Sequence, residues 1–148
     1  MEPREAAHSA RGCSHILISV QAQRLYFFDP DPNKLETGSP ISRPPRAEFV
    51  VSTSRNGTGQ EQGSFRTPLG RHLVRAKIGK GAALNTVFVG RRPTGEVWTP
   101  ELAASSPGRD WILTRILWLS GLEPGINRLG QVDTMRRYIY IHGSPPSV

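Results

Sequence analysis

Apolar and polar residues alternate in short segments along most of the chain, which is the pattern of β-strands. Residues 16–28 form the first such segment, and Gln21-Ala22-Gln23 at its middle predicts the turn of a β-hairpin. Residues 48–52 (EFVVS) predict a buried strand. Residues 71–78 alternate well enough to predict another strand.

The middle of the chain combines two short strand candidates with one ambiguous segment. Residues 87–89 and 96–99 predict strands around a Pro93-Thr94-Gly95 turn. In residues 110–121 (DWILTRILWLSG), apolar positions 112, 113, 116 and 117 fit a helix. The short length, the density of Ile, Trp and Leu and the final Gly fit a buried strand, which we favour.

The last strand is predicted at YIYIH, where apolar and polar letters alternate. Successive side chains of a strand point to opposite faces. We therefore predict that Ile139 and Ile141 face the core, and that Tyr138, Tyr140 and His142 share the other face.

Two glycine-containing stretches with little apolar content, residues 53–66 and 121–133, predict exposed loops of the kind that line functional sites. Thr67-Pro68-Leu69-Gly70 predicts a turn, and residues 134–137 predict one helical turn. Many short strands, glycine-rich loops and little helix together predict a mainly β fold, either a sandwich or a barrel.

Length and charge narrow the possible classes of protein further. The 148 residues suit one domain, and no apolar stretch approaches the roughly 20 residues of a membrane-spanning helix. The net charge is +7, but the basic residues are scattered, with Arg91-Arg92 and Arg136-Arg137 as the only adjacent pairs. Because a dedicated nucleic-acid binder groups its basic residues on one face, we expect solvated arginines and no nucleic-acid partner.

Residues 1–14 form a polar leader that we expect to be disordered, and we expect a single domain over residues 15–148. The leader has no central apolar segment, so it does not match a signal peptide. It carries Cys13, the sole cysteine of the sequence, so no intrachain disulfide can form. We interpret Cys13 as a free thiol in this tail.

Four histidines are candidates for metal binding or acid–base chemistry: His8, His15, His72 and His142. None has a second ligand at a metal-site spacing, so we expect no metal and no cofactor. His142 ends the last predicted strand, directly before Gly143. Two interpretations stay open for it: a strand-end histidine satisfied by hydrogen bonds, or a general base, to which an imidazole pKa of about 6.5 is suited.

Three blocks, in this order, resemble the catalytic domain of the L,D-transpeptidases, the YkuD-like family. The hairpin at residues 16–28 is similar to that domain's opening strands. Val51-Ser52-Thr53-Ser54, followed after a glycine-rich stretch by Thr67-Pro68-Leu69-Gly70, resembles the family's V-S-T … T-P-x-G signature. Residues 133–144 (DTMRRYIYIHGS) look like the strand that holds the family's first active-site histidine. The resemblance implies an L,D-transpeptidase-like β-sandwich of mixed sheets with little helix.

The resemblance also implies a reaction on the stem peptides of peptidoglycan. In the family, a cysteine thiolate within a Ser-His-Gly-Cys motif attacks the carbonyl of the third stem residue and expels D-alanine. The acyl group then passes to an amine of a neighbouring stem, which forms a 3→3 cross-link. By resemblance, His142 holds the position of the proton donor and acceptor that activates the thiol.

The family's Ser-His-Gly-Cys motif does not occur in this sequence, in which six residues follow His142 and Cys13 precedes the first strand. We therefore expect an incomplete domain, with its C-terminal part missing, that lacks the nucleophile and has no transpeptidase activity. A hypothesis from another class is a non-catalytic peptidoglycan-binding module whose two loops hold stem peptides. The family implies the periplasm or cell envelope, but without a signal peptide a cytoplasmic location also stays open.

Overall fold

The computed structural model describes residues 12–30 and 43–146. The chain divides into two compact units, residues 1–53 and residues 54–148, and each is described by itself. Of the predicted leader, residues 1–11 lie outside the described residues. Residues 12–14 have no regular secondary structure, and Cys13 is exposed.

The smaller unit is a three-stranded antiparallel sheet in the order β1-β2-β3. Its strands are β1 (His15–Ser19), β2 (Arg24–Phe28) and β3 (Ala47–Val50). The predicted hairpin is confirmed, because β1 and β2 pair in register from His15 opposite Phe28 to Ser19 opposite Arg24. The predicted turn lies between them, at residues 20–23.

The prediction of a buried strand at residues 48–52 is wrong in its burial and in its end. Strand β3 stops at Val50, and Phe49 and Val50 are 56% and 73% exposed. Among the described residues β3 pairs only with β2, so it is an edge strand. The buried side chains of this sheet, Leu25 and Phe28, lie on β2 instead. An apolar run predicts a strand, but whether anything covers that strand depends on residues distant in sequence.

The larger unit contains a five-stranded sheet in which β7 pairs with β4, β5 and β8, and β5 pairs with β6. The predicted mainly β fold with little helix is confirmed. All ladders between these strands are antiparallel, and in the described residues parallel pairing is limited to two isolated bridges. In chain order the elements are β4 (His72–Ile78), β5 (Thr86–Val89), β6 (Arg92–Val97), α1 (Pro100–Ser105), β7 (Ile112–Gly121), a 3-10 turn (Gly130–Val132) and β8 (Tyr140–Gly143).

The ambiguous segment at residues 110–121 is strand β7, as favoured from its composition. Leu113 and Ile116 are 1% and 0% exposed, and within β7 only Arg115 is exposed. Val87 and Phe88 of β5 are equally buried. A strand covered on both faces carries apolar residues at adjacent positions, so its pattern also fits a helix.

The turn predicted at Pro93-Thr94-Gly95 is wrong, because these residues lie inside β6. The reversal between β5 and β6 lies before Pro93, at Gly90 and Arg91, which both have positive φ (54° and 66°). Two successive residues of positive φ are typical of a type I′ turn, whose twist matches that of the flanking strands. Pro93 and Gly95 suggest a turn by composition alone.

Helix α1 was not predicted, although the sequence carries a signal for it. The Thr99 side chain caps the helix by accepting a hydrogen bond from the Leu102 amide (3.2 Å), and Pro100 occupies the first turn. Thr followed by Pro is a favoured helix start. No helix in the described part of the chain is long and apolar enough to span a membrane.

The last strand is shorter than predicted. β8 begins at Tyr140, and Tyr138 lies in a turn with φ of 57°. Ile139 and Ile141 are half-buried rather than members of the core. Of the three side chains expected to share a face, Tyr140 and His142 lie two residues apart in β8, whereas Tyr138 precedes the strand. The helical turn predicted at residues 134–137 is a series of turns that includes one α-type hydrogen bond, from the Arg137 amide to the Asp133 carbonyl (3.0 Å).

We predict that Leu113→Ala lowers the free energy of unfolding by about 2–5 kcal/mol, because it leaves a cavity at a fully buried position. Leu84→Ala is the matched control. Leu84 is 72% exposed, so its loss should change stability by less than about 0.5 kcal/mol. Denaturant titration followed by tryptophan fluorescence measures both. Equal effects would contradict the position of Leu113 in the core.

Candidate functional site

His142 lies on β8, directly opposite Ile116 of β7, and its side chain is exposed. Its Nδ1 lies 2.8 Å from the Gly143 carbonyl oxygen. Because a carbonyl can only accept, Nδ1 carries the proton in the neutral ring and donates it to Gly143. Nε2 then holds the free lone pair. Nε2 is therefore the ring nitrogen able to accept a proton.

The residue after His142 must be glycine because β8 approaches a bulge in β7. The pairing of β7 with β8 shifts register between Leu113 and Ile116, and Thr114 within this bulge has φ of 70°. A Cβ at Gly143 would lie 2.8 Å from the Leu113 carbonyl oxygen and 3.2 Å from Thr114 Oγ1. The close approach fixes the end of β8 and with it the position of His142.

An aromatic–arginine cluster, formed by Arg91, Trp118, Tyr138 and Tyr140, includes a residue of the strand that carries His142. The Trp118 ring stacks on Tyr138 and meets Tyr140 edge-on, each with centroids 6.2 Å apart. The Arg91 guanidinium lies 4.8 Å from the Trp118 centroid and 4.9 Å from that of Tyr138. Its Nη1 donates to the Tyr140 hydroxyl at 3.0 Å. Both tyrosines thus pack against Trp118.

The two predicted loops meet in the larger unit. Between them lies a cavity of about 600 Å³, with five lining residues from the first loop and three from the second. The lining residues are Gly59, Gln60, Glu61, Ser64, Arg66, Gly125, Ile126 and Val132.

The Thr67-Pro68-Leu69-Gly70 segment lies next to the second loop. Gly70 has φ of 90°, and a Cβ there would lie 2.4 Å from Glu123 Oε1. Thr67 pairs with the first loop instead of closing a tight turn, since its carbonyl accepts from the Gly59 amide (2.9 Å). The segment therefore contacts both loops. Gly70 is needed because its φ is positive and because a Cβ would clash with Glu123.

Arg137 ties the first loop to the segment before β8. Its guanidinium donates to the carbonyl oxygens of Gly59 (3.1 Å) and Arg66 (2.6 Å) and to Ser64 Oγ (3.3 Å). The expectation of a solvated Arg136-Arg137 pair is therefore wrong for Arg137, whose pKa is lowered by burial. Arg136 is exposed, as expected.

A buried polar network holds the second loop, and nothing in the sequence pattern singles it out. Asn127 is fully buried; its Nδ2 donates to the carbonyls of Leu69 and Arg71 (both 3.1 Å), and its Oδ1 accepts from the Glu123 amide (2.9 Å). In a sequence an Asn beside Gly and Pro is typical of an exposed turn.

His72 joins this network through Thr134. Its Nε2 lies 3.0 Å from the hydroxyl of the fully buried Thr134, and its Nδ1 lies 3.0 Å from the Gly70 carbonyl oxygen. Burial lowers the pKa of His72, and the Gly70 hydrogen bond and the Glu123 charge oppose this only in part. His72 is thus a structural histidine of the loop network.

The remaining candidate residues stand apart from this arrangement. His15 opens β1 in the smaller unit and is exposed, as is Cys13, whereas His8 lies outside the described residues. No group of three or more His, Cys, Asp or Glu able to hold a metal occurs at residues 12–30 and 43–146.

Comparison with known families identifies the family of the chain. The model of the L,D-transpeptidase catalytic domain (YkuD) matches residues 14–147. The chain belongs to the L,D-transpeptidase catalytic domain family. No curated protein and no solved structure matches it. Members of this family act on peptidoglycan stem peptides in the cell envelope, so the chain has a cell-wall role. His142 lies within the matched residues and is followed by Gly143 and Ser144.

We predict that Arg137→Lys loosens the first loop, because a lysine keeps the charge but cannot reach three acceptors in a fork. Stability should fall by about 1–3 kcal/mol, and amide exchange should rise at residues 59–67. Arg136→Lys is the matched control and should change neither quantity. Unchanged amide exchange at residues 59–67 in Arg137→Lys would contradict the role of Arg137 in holding the first loop.

We predict that His72 makes stability decrease in mild acid. Because its pKa is lower in the folded state than in the unfolded chain, its contribution is complete above the unfolded value of about 6.5. It is lost as pH falls from there toward the folded value. Melting temperature against pH should therefore fall more steeply below pH 6.5 in the wild type than in His72→Gln. His15→Gln, at an exposed histidine, should keep the wild-type slope, and an equal slope in all three proteins would refute the prediction.

Proposed function

We propose that this chain is a peptidoglycan L,D-transpeptidase-type domain in which His142 is the proton donor and acceptor. The observation that supports this most directly is the exposed side chain of His142, whose Nδ1 donates to the Gly143 carbonyl, while Nε2 accepts no hydrogen bond from the residues that the structure describes. A histidine in this tautomer can take a proton from a thiol at Nε2 and return it to a leaving amine. This is the role the family reaction requires.

The reaction also needs a thiolate, and the larger unit supplies none. Residues 54–148 contain no cysteine, and the sole cysteine, Cys13, lies in the smaller unit. We propose that these 148 residues bind stem peptides and present the histidine, but do not transfer an acyl group by themselves. A 3→3 cross-link would require a thiolate within reach of the His142 imidazole.

Binding to the cell wall tests the first part of the proposal. The protein should sediment with purified peptidoglycan, and it should still do so at high salt, where attraction by the +7 net charge is screened. His142→Ala should sediment equally well, because a proton carrier contributes little to binding. Failure of the wild type to sediment at high salt would overturn the proposal.

Turnover tests the second part. With a stem tetrapeptide as donor, mass spectrometry should detect neither free D-alanine nor a 3→3 product, for the wild type or for Cys13→Ala. If the wild type releases D-alanine and His142→Ala does not, then a nucleophile is present and the proposed lack of acyl transfer is wrong. Loss of the same activity in Cys13→Ala would identify that nucleophile.

A further inference from the structure

Arg91 is held in one orientation by its neighbours, although it lies in the two-residue turn between β5 and β6. Two aromatic rings lie within 5 Å of its guanidinium, and the Tyr140 hydroxyl accepts one of its hydrogens. Stacking and a directed hydrogen bond fix the plane of a guanidinium and reduce the entropy that it loses on binding a ligand. The arginine is thus oriented before any ligand arrives.

The guanidinium keeps donors for a ligand. An arginine has five N–H donors, and one side-chain hydrogen bond, to Tyr140, is present for Arg91 among the described residues. The ion pairs in that part of the chain join Arg24 to Glu48, Arg46 to Asp29 and Arg109 to Glu96. Arg91 has no carboxylate partner there. A planar guanidinium with two free parallel N–H groups matches a carboxylate better than any other common group.

The position of Arg91 relates it to His142. Tyr140 and His142 are two residues apart in β8, so their side chains leave the same face, with Cα atoms about 7 Å apart. A group bound at Arg91, against Tyr140, therefore lies on the His142 side of the sheet. Two residues of extended peptide span a comparable distance, at about 3.5 Å per residue.

We propose that Arg91 binds the terminal carboxylate of a stem peptide and so places the last peptide bond at His142. This inference rests on the proposed function and adds a specificity-determining residue to it. Trp118 and Tyr138 hold the guanidinium and form an apolar floor beside it. Tyr140 is a positioning residue that acts through its hydroxyl.

The test uses two ligands that differ in one group, N-acetyl-L-lysyl-D-alanine and its C-terminal amide. Binding is measured by NMR titration, with the indole resonance of Trp118 and the Nε–H of Arg91 as reporters. The wild type should bind the acid at least about tenfold more tightly than the amide, since hydrogen bonds between charged groups contribute that much. Shifts should occur at both reporters.

Arg91→Gln should remove the preference for the acid, whereas Arg92→Gln should retain it. Both variants lose one positive charge, and Arg92 is the exposed neighbour on β6, so the pair separates a specific contact from general attraction. Arg91→Lys keeps the charge and should show a reduced preference. Tyr140→Phe should weaken acid binding and leave amide binding unchanged. Melting temperatures confirm that each variant is folded.

Several results would overturn the inference. They are equal affinity of the wild type for acid and amide, no binding of either, or equal losses in Arg91→Gln and Arg92→Gln. Tighter binding of a dinucleotide than of the acid at Trp118 would show a base-stacking surface instead. Sedimentation with peptidoglycan separates the two proposals: if it persists while the acid is not preferred, only the role of Arg91 fails. If the acid is preferred but sedimentation is absent, only the proposed function fails.

Discussion

The larger unit depends on strand β7, because β4, β5 and β8 all form hydrogen bonds with it. Its residues Leu113 and Ile116 are buried almost completely, so the same strand supplies hydrogen bonds and core packing. Between them the bulge at Thr114 interrupts the regular ladder. Thr114 Oγ1 accepts a hydrogen bond from the Asn85 amide, and a Cβ added at Gly79 or Gly143 would lie 3.2 Å from an oxygen of Thr114. This irregularity in the central strand leaves no room for a side chain at Gly143.

The position of His142 follows from this constraint. β8 can run beside β7 only with a glycine opposite the bulge, and His142 is the residue before that glycine. The Gly143 carbonyl then orients the imidazole. The resemblance predicts a role for this side chain, and the backbone geometry accounts for its position and for the orientation of its ring.

Around this strand, arginines contribute through directed contacts more than through net charge. Arg137 holds the first loop through three acceptors, and Arg91 is held by two rings and a hydroxyl. Both are half-buried, whereas their sequence neighbours Arg92 and Arg136 are exposed. In each adjacent pair one arginine faces the fold and the other faces solvent. A net charge of +7 therefore says little about the part that any one arginine plays.

The sequence alone determined the features that depend on neighbours along the chain. The hairpin β1–β2, strands β4, β5 and β7, the two exposed loops and the His142-Gly143 strand end all follow from periodicity and turn residues, which act over a few positions. The tertiary structure decided what depends on distant residues: the exposure of β3, the burial of Asn127 and Thr134, the tie at Arg137 and the ring stack around Arg91. Arg137 meets Arg66 across 71 positions and Arg91 meets Tyr140 across 49. No local sequence pattern predicts such contacts, because they form only once the strands have paired.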